Sequence, residues 1–90
     1  MKKQNKSEVR RTLDERDARY GGFVNVAETS QTLKDVVRTH DNYEKLNLMQ
    51  REALEMIQHK IARIINGDPN YIDNWVDIAG YAQLVADALE

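Results

Sequence analysis

Cysteine is absent from the 90 residues, which excludes disulfides, thiolate metal sites and a cysteine nucleophile. Also missing is any apolar run long enough for a signal peptide or a membrane-spanning helix. The expectation is therefore a cytoplasmic protein with no membrane partner. No repeat with a period on the order of 20–50 residues is present, and there is no low-complexity tract. Proline occurs once, at Pro69 in the string GDPN, where it sets φ in a tight turn.

What is there describes a soluble globular chain: 41% hydrophobic and 31% charged residues, with a net charge of −2. Ninety residues make one small domain. We expect a flexible N-terminus over residues 1–6 and a single helical domain over 7–90. Charge is uneven along the chain. Residues 1–19 hold seven Lys/Arg against four Asp/Glu, and residues 20–90 hold six against eleven. A basic arm on an acidic body is compatible with anionic partners. DNA binding is not expected, because no helix joins a strong basic face to base-reading residues.

Four helices are expected, the last two long and antiparallel. The first starts after Ser7, a good N-cap, and stops at Gly21-Gly22. Its apolar residues are few (Val9, Leu13, Ala18, then Tyr20), so it needs a partner surface. Tyr20 and Phe23 are expected to dock as aromatic anchors. Asn25 with Glu28 is a capping-box pattern opening a second helix from Val26 to about His40, with Leu33, Val36 and Val37 inward. Asn47 with Gln50 caps the third helix, which Gly67 ends. Its stripe is Met49, Ala53, Ile57, Ile61 and Ile64/Ile65. Asn70, with Asp73 at its third position, is expected to cap the fourth helix. That helix is apolar on two sides: Ile72, Trp75, Val76, Ala79, Ala86 and Leu89 form one stripe, and Ile78, Tyr81, Val85 and Ala88 another. A thin bundle can scarcely cover both, so a homo-oligomer burying the second stripe is expected.

The polar residues of the two long helices suggest a site. Glu52, Glu55, His59 and Arg63 lie in one row, with Lys60 at its edge. Asp73 and Asp77 sit one turn apart, and Tyr81 continues their line. A short turn makes the helices neighbours, so Arg63 and Lys60 are expected to face Asp73 and Asp77. A structural ion-pair network explains this pattern, with Glu55 reaching His59. So does a phosphate site, in which Arg63 supplies a planar fork, Lys60 a point charge and His59 a switchable donor. Tyr81 or Tyr20 would then stack on a base, and Asp73 or Asp77 would bind ribose or base edges. Arg16 and Arg19, one turn apart in the first helix, would add phosphate contacts from a neighbouring subunit. No cofactor is expected for such capture.

Two resemblances bear on this choice. Glu52-x-x-Glu55 with Asn74-x-x-Asp77 resembles the acidic motifs of the all-α nucleoside-triphosphate pyrophosphatases of the MazG type. That likeness implies Mg²⁺ held by Glu52, Glu55 and Asp77, although Asn74 stands where the motif has an acid. The strings ERDARYGGF, KIARIINGD and DNWVDIAGY resemble a family of small helical proteins carried by phages and prophages. That likeness implies a virus-derived helical protein of the host-cell cytoplasm and points towards nucleotides; the function we expect, from the charged row and that context, is capture of a nucleotide or nucleotide-derived signal to counter host defence. The alternatives are the Mg²⁺-dependent pyrophosphatase and a module that inhibits a host enzyme by contact, with the first helix as contact element.

Overall fold

A computed structural model describes the chain from Lys2 to Glu90, with side chains described from Ser7 onward. Four helices make up the fold: α1 (Lys2–Tyr20), α2 (Phe23–Arg38), α3 (Leu48–Asn66) and α4 (Ile72–Leu89), with no strand among the described residues. A 3-10 turn, Asp41–Lys45, joins α2 to α3. The all-α bundle expected from the sequence is therefore observed. Helix α3 is its centre, packing against both α2 and α4. The molecule is elongated, 49 × 27 × 26 Å.

Local chemistry sets most boundaries. Asn47 Oδ1 accepts from the Gln50 amide at 2.8 Å, while Gln50 Oε1 accepts from the Asn47 amide at 2.9 Å, a complete capping box. Gly67 closes α3, its amide donating to the Arg63 carbonyl. In the 3-10 turn, the Arg51 guanidinium covers the Tyr43 ring at 4.7 Å and donates to the Tyr43 carbonyl at 3.3 Å, fastening the turn to α3.

Other starts differ from expectation. Helix α1 begins at Lys2, ahead of Ser7. The flexible segment expected over residues 1–6 lies outside the described side chains. Helix α2 begins at Phe23, capped by Gly22 rather than by Asn25. The reason is Gly21, whose φ of +87° reverses the chain at once, so that Gly22 can already accept from the Val26 amide. Helix α4 takes Tyr71, not Asn70, as its cap residue. Asp68 pre-empts Asn70 by accepting its amide at 2.9 Å, and Asp73 accepts the Tyr71 hydroxyl at 2.9 Å.

The core is small. Val26, Ala53 and Ala62 are its buried hydrophobic residues, joined by buried Ser30, Gln58, Lys60 and Asn74. Gln58 donates to the Leu33 carbonyl at 2.9 Å and Asn66 to Thr29 Oγ1 at 3.0 Å, tying α3 to α2. Val36, Ile65 and Phe23 face outward, Phe23 at 74% exposure, so it is not the anchor expected. The stripes of α4 are also exchanged. Ile78, Tyr81 and Val85 lie half-buried on the side that carries buried Asn74, whereas Ile72, Trp75, Val76 and Leu89 are exposed. Trp75 is no core residue. It is 53% exposed and donates its indole N–H to the Pro69 carbonyl at 2.9 Å.

Candidate functional site

The site begins with a close crossing of two backbones. Helix α1 ends against the end of α3, where Gly21 and Gly67 let the chains meet. A Cβ at Gly67 would stand 2.5 Å from the Arg19 carbonyl oxygen, and one at Gly21 2.7 Å from Asn66 Cβ. The Asp68 amide donates to the Arg19 carbonyl at 2.9 Å and locks the crossing. The glycines in RYGGF and NGD are therefore needed for proximity as well as for stopping helices.

This crossing fixes a cluster of arginines and tyrosines. The Arg63 guanidinium lies over the Tyr20 ring at 4.3 Å, with Arg16 6.0 Å from the same ring. Tyr20 meets the edge of Tyr71 at 5.7 Å, and Arg19 covers Tyr71 at 5.3 Å. Among the described residues no carboxylate lies within ion-pair distance of Arg16, Arg19 or Arg63. Cation–π contacts hold these guanidinium groups while leaving their in-plane N–H donors available.

Beside the cluster a cleft of about 270 Å³ opens between α1, the start of α2, and α3. Leu13, Phe23 and Val26 make it largely apolar, and Arg16, Asp17, Tyr20, His59 and Arg63 supply its polar edge. The His59 pKa is lowered from 6.5, first by burial and then by the charges of Arg63, Lys34 and Lys60. Burial and positive charge act in the same direction, so the imidazole is held neutral in a field that attracts anions.

Of the residues singled out in the sequence, Arg16, Tyr20, His59 and Arg63 meet in this cleft, and all come from one chain. Arg19 stands at its edge through Tyr71. Asp73 reaches it indirectly, by accepting the hydroxyl of the tyrosine that Tyr20 touches. That bond raises the Tyr71 pKa, with burial and the Asp73 charge adding to it.

The expected grouping of both cations with both aspartates does not form. Lys60 turns to α4 and pairs with Asp77 at 3.0 Å, while Arg63 turns to α1. Tyr81 is half-buried and does not line the cleft. Glu55 does not reach back to His59, because Arg38 takes it at 2.8 Å, and this bond raises the Arg38 pKa.

Asp17 and Leu13 were not singled out for binding. Their signal was present, since Leu13, Asp17 and Tyr20 recur at spacings of four and three on one face of α1.

The acids of the Mg²⁺ alternative are not assembled. Glu52 is exposed, Glu55 is bound to Arg38 and Asp77 to Lys60. Among the described residues no three His, Asp or Glu side chains gather in a group able to hold a metal. Asn74, the residue in place of the motif's acid, is 1% exposed, and both its amide atoms lack a partner among the described residues.

No described helix is long and apolar enough to cross a membrane. Residues 7–89 match the family described as a domain of unknown function, DUF6378. No curated protein and no solved structure matches the chain.

Proposed function

The chain belongs to the DUF6378 family, whose description assigns no activity, and from the cleft itself we propose that this member binds a small phosphate-bearing ligand with a planar ring, a nucleotide or nucleotide-derived signal. One observation carries the reading. Arg16 and Arg63 flank an aromatic ring and a neutral histidine at a largely apolar cleft, and among the described residues no carboxylate, the cleft's own Asp17 included, lies within ion-pair distance of either. A purely structural arginine pair would gain more from a carboxylate than from a tyrosine face alone. An arginine fork recognises phosphate oxygens in pairs, and the Tyr20–Phe23 edge suits a base. Asp17 offers an acceptor for ribose hydroxyls or base amino groups.

The cleft volume of about 270 Å³ sits just under the roughly 300–1,000 Å³ usual for small-molecule sites, which favours a small occupant. We propose further that the protein acts as a homo-oligomer, supported by the exposed apolar stripe of α4. The resemblance of its motifs to phage and prophage proteins supplies the context: removal of a host signalling nucleotide by capture in the cytoplasm.

The test is a thermal-shift and calorimetry screen of mononucleotides and cyclic signalling nucleotides, with and without Mg²⁺, followed by analysis of the ligand recovered on heating. Capture predicts a stabilising ligand that is returned unchanged, and loss of its effect in Arg63→Met. A flat screen refutes the reading and leaves a protein-interaction role. Cleaved ligand appearing only with Mg²⁺ replaces capture by the pyrophosphatase.

A further inference from the structure

One face of α4 leaves apolar side chains uncovered, and the charge of the helix indicates what covers it. Ile72, Trp75 and Val76 are exposed together on one face of this helix, 53–67% each, with Leu84 and Leu89 exposed on its two flanks. From Ile72 to Glu90 the chain carries Asp73, Asp77, Asp87 and Glu90 and no Lys or Arg, and with Asp77 paired to Lys60 of α3 the other three leave a net charge of −3 for a partner to meet. Two α4 helices laid together would confront acid with acid. Helix α1 is the complement. Over its whole length, Lys2–Tyr20, it carries seven Lys/Arg against four Asp/Glu, a net charge of +3, and Arg10 makes an exposed pair with Asp14 at 3.2 Å that a stronger acidic surface can replace. Every residue from Ser7 to Arg19 is exposed, with Val9 at 59% and Leu13 at 42%. The described attachment of α1 to the body is at its C-terminal end, through the Gly21–Gly67 crossing and the Arg19–Asp68 bond.

We propose that α1 of one copy lies along the exposed stripe of α4 in a second copy, with Val9 against its apolar side chains and Arg10 and Arg11 against its acids. Reciprocal exchange of the two arms closes the assembly as a dimer. The proposal deepens the homo-oligomer part of the functional reading and is tested without any ligand. It also bears on the cleft. Leu13, Arg16, Asp17 and Tyr20 form the α1 wall, and a wall held at one end in a lone chain is held at both ends in the dimer.

Charge exchange tests this on the full chain by sedimentation equilibrium. The wild type is expected to be dimeric. Arg10→Glu with Arg11→Glu places acids against acids, and Asp87→Arg with Glu90→Arg places cations against cations. Each double variant alone should self-associate at least about tenfold more weakly. Mixed in equal amounts they should form a heterodimer close to wild-type strength, because each arm then meets an opposite charge. A wild type that is monomeric at every concentration overturns the oligomer reading as a whole. Dimers that ignore both reversals overturn only this arrangement, and neither result touches the ligand screen.

Discussion

Replacing Gly67 by alanine probes the contact on which the cleft depends. The added Cβ would lie 2.5 Å from the Arg19 carbonyl oxygen and 2.6 Å from Tyr20 Cα, both backbone atoms that cannot rotate away. Relief requires the end of α1 to move off α3. Overpacking of a rigid contact costs about 1–3 kcal/mol, and backbone on both sides places this case in the upper half. The same movement stretches the 2.9 Å bond from the Asp68 amide to Arg19, adding about 1 kcal/mol. The expected loss is therefore about 3 kcal/mol, and at about 4–8 °C per kcal/mol for a chain of this size the melting temperature falls by about 12–24 °C. Urea denaturation at one fixed protein concentration measures it, since association makes apparent stability concentration-dependent. Near-ultraviolet circular dichroism should lose Tyr20 and Tyr71 signal before the helices melt. A variant within about 0.5 kcal/mol of the parent would refute the crossing as the anchor of α1.

Gly80→Ala adds a Cβ that meets nothing within 4 Å. A lone chain should gain about 1 kcal/mol of helix stability, whereas loss of stability at dimer-forming concentrations would place another backbone there. Asp77→Asn leaves the nearly buried Lys60 ammonium without its partner. Because Asp77 is half exposed, a loss of about 1–2 kcal/mol is expected by urea titration, below that of a fully buried pair. His59 gives two opposite pH trends. Its folded pKa lies below 6.5, so the unfolded chain takes the proton first and free-protein stability falls as pH drops below about 6.5, with no change above it. An anion beside His59 favours the protonated ring, so binding should tighten across the same interval, and His59→Gln should flatten both curves.

The third helix shows why some features were legible in the sequence. Asn47, Gln50 and Gly67 act on backbone groups within four residues, so a local pattern suffices to place both ends of α3. Failures at Asn25 and Asn70 were also local. In each case a neighbour, Gly21 or Asp68, organised the turn first. The candidate site was half legible. Its residue types on α1 and α3 stand in the sequence, but their grouping does not.

Lys60 and Arg63 are about 60° apart around a helix, which is compatible with one shared pocket or with two separate destinations. Periodicity alone does not choose between them. In the structure they take separate destinations, Lys60 pairing with Asp77 on α4 and Arg63 covering Tyr20 on α1. The sequence by itself determined that the chain is helical, where the capping box and the glycine stops fall, and which side chains carry charge. Only the tertiary structure decided which face of each helix meets another, because that depends on the rotation of whole helices against one another, a degree of freedom that no local spacing records.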